Sequence, residues 1–465
     1  MLRFRPRGSS QDPPALLTEV LPAAPRVGAL PVAPPERAPV SEPQRQLIGR
    51  TVDRLARQLG PTFDREVRDA ERLHTYVASA LAAILDEERI TLPDDEHQRL
   101  QRLVEAEMVG FGPLHELLAD ETISEIMVNG PQLVFVERAG RLQRAAVQFN
   151  DDAHVRRIID RIVAPLGRRV NESSPMVDAR LPDGSRVNVI VPPLILSGPT
   201  ITIRKFASTP LTPDDLVRFG SLSAEAMAFL RACVRGHTNV VVTGGTGTGK
   251  TTLLNVLSSF IPDDERIITI ENAAELQLQQ EHVLTLESRP ANIEGKNEVT
   301  IRDLVINALR MRPNRIVIGE CRSGETLDML QAMNTGHDGS MTTIHANNPR
   351  DAMGRLETMV LMSGMQLPTK AIRGQIAAAL QLVVHVDRFP DGSRRVSKIC
   401  EVTGMEGDVI TMSDIFVFRQ DGVQNGRVVG QLAPTGIRPR LLAQLARQDI
   451  TVPTTTFGFA PAARS

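Results

Sequence analysis

The chain has 465 residues, too many for one ordinary hydrophobic core, so two folded domains with less ordered ends are expected. Its 53 Lys and Arg nearly cancel 55 Asp and Glu, and with no Trp and one Tyr this argues against a broad nucleic-acid surface built on charge and base stacking, leaving room only for a local basic groove. Cys233, Cys321 and Cys400 form no CxxC pair, which excludes a zinc or disulfide framework and fits a reducing compartment.

Residues 1–41 carry Pro13, Pro14, Pro22, Pro25, Pro31, Pro34 and Pro35 among many alanines and read as a disordered tether. The basic start, Met1 to Ser10, has no apolar h-region behind it, and no apolar run reaches the roughly 18–20 residues of a membrane span. A cytoplasmic chain is expected, touching a membrane only through a partner.

Over 42–110, Leu47, Val52, Leu55, Leu59, Val77, Leu81, Ile84 and Leu85 recur at helical spacing, which predicts a small helical bundle. Over 111–207, β-patterned runs at Leu133–Glu137, Arg186–Val191 and Thr200–Ile203, with a helix at His154–Ala164, predict an α+β domain. Pro210 and Pro213 mark an interdomain linker over 208–220.

In 221–430 helices alternate with the apolar strands Asn239–Thr243, Arg266–Glu271, Arg315–Glu320 and Ser340–Ile344, the pattern of an α/β domain with a mainly parallel sheet. Asn348 and Pro349 sit at the cap and first position of a helix whose Met353, Leu356, Met359 and Val360 share one face. The methionines after Glu325 (Met329, Met333, Met353, Met359, Met362, Met365) read as core or as an adaptable partner surface. Residues 431–465 read as a C-terminal tail.

The segment Gly244-Gly245-Thr246-Gly247-Thr248-Gly249-Lys250-Thr251 matches the phosphate-binding P-loop, with Thr252 continuing into a helix. Its glycines let backbone N–H groups face the phosphates of ATP, and the helix N-terminus adds partial positive charge. Lys250 is expected on the β- and γ-phosphates and the Thr251 hydroxyl on Mg2+. Glu271 and Glu320 each end an apolar strand, where α/β ligands bind. Gly319 stands where the usual Walker B Asp would be, which makes Glu320 the candidate for coordinating Mg2+ and Glu271 the candidate base or water positioner; the division stays open. His337 and His345 bracket a Gly/Thr-rich strand and are both candidate catalytic residues, in a γ-phosphate or relay role for the strand-end His345, or else make ordinary structural hydrogen bonds. Arg180, Arg186 and Arg204 lie on β-patterned segments and are candidates for arginine fingers, or for exposed solubilising charges.

In these blocks the chain resembles the secretion ATPase superfamily, most closely the tight-adherence pilus ATPases known as CpaF or TadA, from about Glu105 to Phe418. The P-loop, Thr269-Ile270-Glu271-Asn272, Arg312 to Glu320, and Thr335 to His345 carry the likeness. Glu125 to Pro131, Asp178 to Asn188 and Thr202 to Phe206 look like that subgroup's own. The resemblance implies a RecA-like ATPase domain, a homohexamer, ATP between the two domains, and force passed to an inner-membrane platform protein that assembles a pilus. Asn272 departs from the second acidic position of the family's Asp box, and the tetracysteine insertion of many type II ATPases is missing. Alternatives are a type IV secretion or conjugation ATPase, which exports protein or DNA, and a nucleotide-gated regulatory module.

Overall fold

The computed structural model describes residues 40–60, 69–138, 140–206, 210–291 and 296–458; the tether expected over 1–41 falls almost wholly outside them. The first helix, Glu42–Leu59, opens on a capping box in which Ser41 and Gln44 satisfy each other's backbone N–H, with Pro43 in the first turn. It packs on Ala70–Glu87 and Asp94–Val109, burying Leu55, Val77 and Val104 in one apolar cluster and Leu47, Leu81 and Leu100 in a second.

A six-stranded antiparallel sheet follows, in the order β3-β2-β1-β6-β5-β4. Its strands are β1 (Ile123–Asn129), β2 (Val134–Arg138), β3 (Arg141–Arg144), β4 (Met176–Arg180), β5 (Arg186–Ile190) and β6 (Thr200–Arg204). β5 and β6 alternate buried and open positions, and the buried Val187, Val189, Ile201 and Ile203 meet the apolar face of helix Asp152–Val163. Pro213 does not break the connection to the next domain. It sits at the first turn of a short helix, Pro213–Arg218, where its missing N–H costs nothing, and Thr212 caps that helix.

The second sheet has nine strands in the order β15-β14-β13-β12-β7-β11-β10-β8-β9. β7 (Val240–Gly244), β8 (Ile267–Glu271), β9 (Val283–Glu287), β10 (Arg315–Ile318), β11 (Met341–His345) and β12 (Leu382–Arg388) run parallel. β13 (Arg394–Glu406), β14 (Val409–Gln424) and β15 (Arg427–Pro434) extend it as antiparallel hairpins. Because helices cover both faces of the parallel part, β7 is buried throughout. Val240 and Val242 enter one core and Val241 the other, each contributing about 1.5–3 kcal/mol by burial. The strand that feeds the P-loop, β7, is separated from the Walker B strand, β10, by β11, giving the RecA-like arrangement.

The boundary read at 430/431 falls inside β15. Beyond it, helix Leu441–Ala446 and the turn at Thr454–Phe457 pack back on the domain. Leu441, Leu445 and Phe457 join its core, with the Phe457 ring 5.3 Å from that of Phe229. Met329, Met333, Met353 and Met359 are buried, whereas Met362 and Met365 are exposed. No helix among the described residues is long and apolar enough to cross a membrane.

Candidate functional site

In a parallel sheet all C-terminal strand ends open on one edge, and here that edge holds a cavity of about 160 Å3. Thr246, Gly247, Gly249, Lys250, Thr251, Thr252, Glu271, Gly319, Glu320 and, from the antiparallel sheet, Arg186 and Arg204 line it. The loop from Gly244 to Gly249 joins β7 to helix Lys250–Ser258, whose N-terminus therefore faces the cavity. Gly244 is held to glycine by crowding, since a Cβ there would lie 2.4 Å from the carbonyl oxygen of Val386.

Lys250 Nζ donates to the Gly245 carbonyl at 2.8 Å and to His345 Nδ1 at 3.2 Å. With Nδ1 accepting, the ring proton sits on Nε2 and is donated to Thr246 Oγ1 at 2.9 Å. Burial, and then the charge of Lys250, lower the His345 pKa against the opposing pull of Glu320, so the ring is neutral near pH 7. The ammonium of Lys250 is lowered by burial and by Arg204 and Arg322, against Glu320, which raises it.

Glu271 is buried. Its carboxyl accepts from the backbone N–H of Glu275 at 2.8 Å and of Leu276 at 3.2 Å, yet burial outweighs these bonds, and with Glu275 and Glu287 nearby pushes it up to about 7. Glu320 is more open and is held by Arg322, whose Nη2 donates at 2.8 Å. Gly319 separates the two carboxylates: a Cβ there would lie 2.9 Å from Cγ of Glu271, which explains the missing Walker B Asp sterically. The Thr251 hydroxyl and the Glu320 carboxylate are hard oxygen donors on the same cavity as Lys250, a donor set that fits Mg2+ held jointly with substrate phosphates.

The three arginines are cross-strand neighbours, Arg180 opposite Arg186 and Arg186 opposite Arg204. Arg186 pairs with Glu275 at 3.0 Å, and Arg180 with Glu287 at 3.1 Å. Arg186 and Arg204 reach the cavity wall; Arg180 stands outside it. His337 is not brought to the site. It precedes β11, at the opposite end of the strand from His345, where its carbonyl accepts from Ser340 Oγ. Asn272, Glu275, Arg322 and Thr343 also line the cavity. Arg322, a cation two residues past a strand-end Glu, was legible locally; Thr343, which bonds the Gly319 carbonyl at 2.8 Å, was hidden as a strand residue.

The family model described as Type II/IV secretion system protein matches residues 107–437. The chain belongs to that family. It is accordingly a secretion-family ATPase, with the P-loop at its strand edge. A Mycobacterium tuberculosis protein named for conjugal transfer is 37% identical over 326 residues, 68% of this chain and 92% of that protein. The type IV secretion system protein VirB11 of Brucella abortus is 34% identical over 316 residues, 62% of this chain and 87% of that protein. Among solved structures, the VirB11 ATPase of the Brucella suis type IV secretion system in complex with sulphate is 33% identical. It covers 62% of this chain and 94% of that one, with a TM-score of 0.34. The names of the two sequence relatives lie on the conjugation and type IV secretion side of the motif resemblance, and the finer likeness to tight-adherence pilus ATPases is not what they carry.

Proposed function

We propose that this secretion ATPase is a ring-forming motor of a type IV secretion or conjugation machine, converting ATP hydrolysis into movement of its antiparallel-sheet domain against its RecA-like domain. The carrying observation is that Arg186 and Arg204 of one domain and Lys250, Glu271 and Glu320 of the other converge on one cavity. ATP phosphates rest on the N–H groups of Gly245 to Thr251, with Lys250 on the β- and γ-phosphates. Glu271 orients the attacking water and takes its proton, a role suited to a carboxyl whose pKa lies near the working pH. Arg186 leaves Glu275 for a phosphate oxygen, and with Arg204 stabilises the charge that develops there. Thr251 and Glu320 would hold Mg2+, which would neutralise phosphate charge when bound. The working form is a homohexamer at the cytoplasmic face of the inner membrane, docked on a membrane platform protein.

A second reading, assembly of a tight-adherence pilus by the same motor, is favoured by the subgroup blocks Glu125 to Pro131, Asp178 to Asn188 and Thr202 to Phe206. One experiment separates them: cells carrying Lys250→Ala in place of the wild-type chain, scored together for exported substrate and for surface filaments. Loss of export with filaments intact supports the first reading. Loss of filaments with export intact supports the second, and neither loss removes the motor assignment.

A further inference from the structure

At the turn joining β12 to β13, Arg388 and Arg394 stand directly opposite each other. A like-charged cross-strand pair is unfavourable by itself, so its acceptors are informative. Arg394 Nε donates to the carbonyl of Gly247 in the P-loop at 2.8 Å, and its Nη2 lies 3.4 Å from Oε1 of Glu137 on β2. Arg388 Nη2 donates to the carbonyl of Gly140 in the β2–β3 turn, so close that a Cβ at Gly140 would meet that nitrogen at 3.2 Å. One hairpin therefore grips both the P-loop and the antiparallel-sheet domain.

The Gly247 contact has a direction. In a trans peptide the carbonyl of Gly247 and the N–H of Thr248 point opposite ways. Gly247 lines the cavity and Arg394 does not, so a guanidinium holding the Gly247 carbonyl away from the cavity would turn the Thr248 N–H towards it, where a phosphate oxygen would sit.

We propose that Arg394 is a positioning residue for nucleotide binding, presetting the Gly247–Thr248 peptide, and that Glu137 fixes Arg394 so that this presetting depends on the antiparallel-sheet domain being docked. The inference rests on reading Gly244–Thr252 as the phosphate cradle.

The test uses the full chain, with a fluorescent ATP analogue for affinity and steady-state turnover for kcat and KM. Arg394→Ala raises Kd and KM about tenfold with kcat changed less than about threefold, the pattern of lost uniform binding. Glu137→Gln raises Kd and KM about threefold, and the double variant matches Arg394→Ala alone, because Glu137 acts through the arginine. Arg394→Lys, which keeps the charge but not the fork, falls between wild type and Arg394→Ala. If Arg394→Ala does not fold, Glu137→Gln and Arg394→Lys carry the same comparison. Unchanged Kd in folded variants, or additive effects in the double variant, overturns the proposal. Analogue binding that survives Lys250→Ala removes the phosphate-cradle reading instead.

Discussion

Lys250 Nζ and His345 Nδ1 lie 3.2 Å apart, donor to acceptor, so the P-loop cation and the end of the neighbouring strand share a proton-bearing contact. β11 and β7 are in register at this point, His345 opposite Gly244, which is why a residue 95 positions away reaches the loop. ATP phosphates held as proposed would compete with His345 for the lysine.

Lys250→Ala should therefore abolish nucleotide binding within the range of a titration with a fluorescent analogue. If His345 takes the γ-phosphate or relay role, His345→Ala should leave affinity within about threefold while lowering kcat at least about tenfold, since such a group acts on the transition state more than on the ground state. Weakened binding with unchanged kcat in His345→Ala would return that histidine to a structural role.

Glu271 makes both activity and stability depend on pH. Its folded-state pKa, about 7, lies above the ordinary carboxylate value of 4.5. The stability of its neutral form is complete below about 4.5 and is lost as pH rises through about 7. Glu271→Gln, which cannot ionise, should gain in melting temperature relative to wild type, by the least at pH 5 and by progressively more as pH rises through about 7. Wild-type turnover should rise through an apparent pKa near 7, where the base ionises, and the variant should be nearly inactive across the range.

Restoring the usual Walker B aspartate should harm this enzyme. A side chain at Gly319 meets Cγ of Glu271 at 2.9 Å and must displace it. Gly319→Asp and Gly319→Ala should both lower kcat, by about tenfold or more if Glu271 is the base. An increase in kcat for Gly319→Asp would show that the glycine has no steric role.

The P-loop and both strand-end glutamates were legible because each depends on a local pattern: glycines before Gly-Lys-Thr, and an apolar run closed by a carboxylate. His337 was misleading because the block Thr335 to His345 that carries the family likeness spans a whole strand, and only its far end reaches the site. Five residues of β11 carry the chain about 16 Å from one sheet edge to the other. Arg394, 147 residues from the loop carbonyl it holds, leaves no local signal. Arg315 was equally silent: it heads an apolar strand like an exposed charge, but is fully buried because Glu265 comes from a loop 50 residues earlier.

That buried pair explains the glycine of the His337 block. Arg315 binds the Glu265 carboxylate through two nitrogens and donates to the Gly339 carbonyl at 3.2 Å. A Cβ at Gly339 would lie 1.7 Å from Arg315 Nη1, and its φ of +80° is already in the left-handed region. Arg315→Ala should cost about 3–5 kcal/mol, the range for leaving one buried partner uncompensated. Gly339→Ala should also be destabilised, by about 2 kcal/mol or more for an overpacked, strained site. Urea unfolding of the full chain measures both; a midpoint within error of wild type for either would show that the edge relaxes around the change.

The arginine ladder makes the last prediction graded. Arg204 and Arg186 line the cavity, while Arg180 stands one strand further out and pairs with the partly exposed Glu287 at 3.1 Å. An open ion pair of that kind contributes about 0–1 kcal/mol, so little holds Arg180 in place and little is lost with it. A guanidinium reaching developing phosphate charge is worth much more, in kcat. Arg204→Ala and Arg186→Ala should each lower kcat by about a hundredfold or more with modest change in KM, and Arg180→Ala by less than about threefold. Equal losses at all three positions would mean that the outer strand closes on the nucleotide in the working ring, bringing Arg180 the full width of one strand inward.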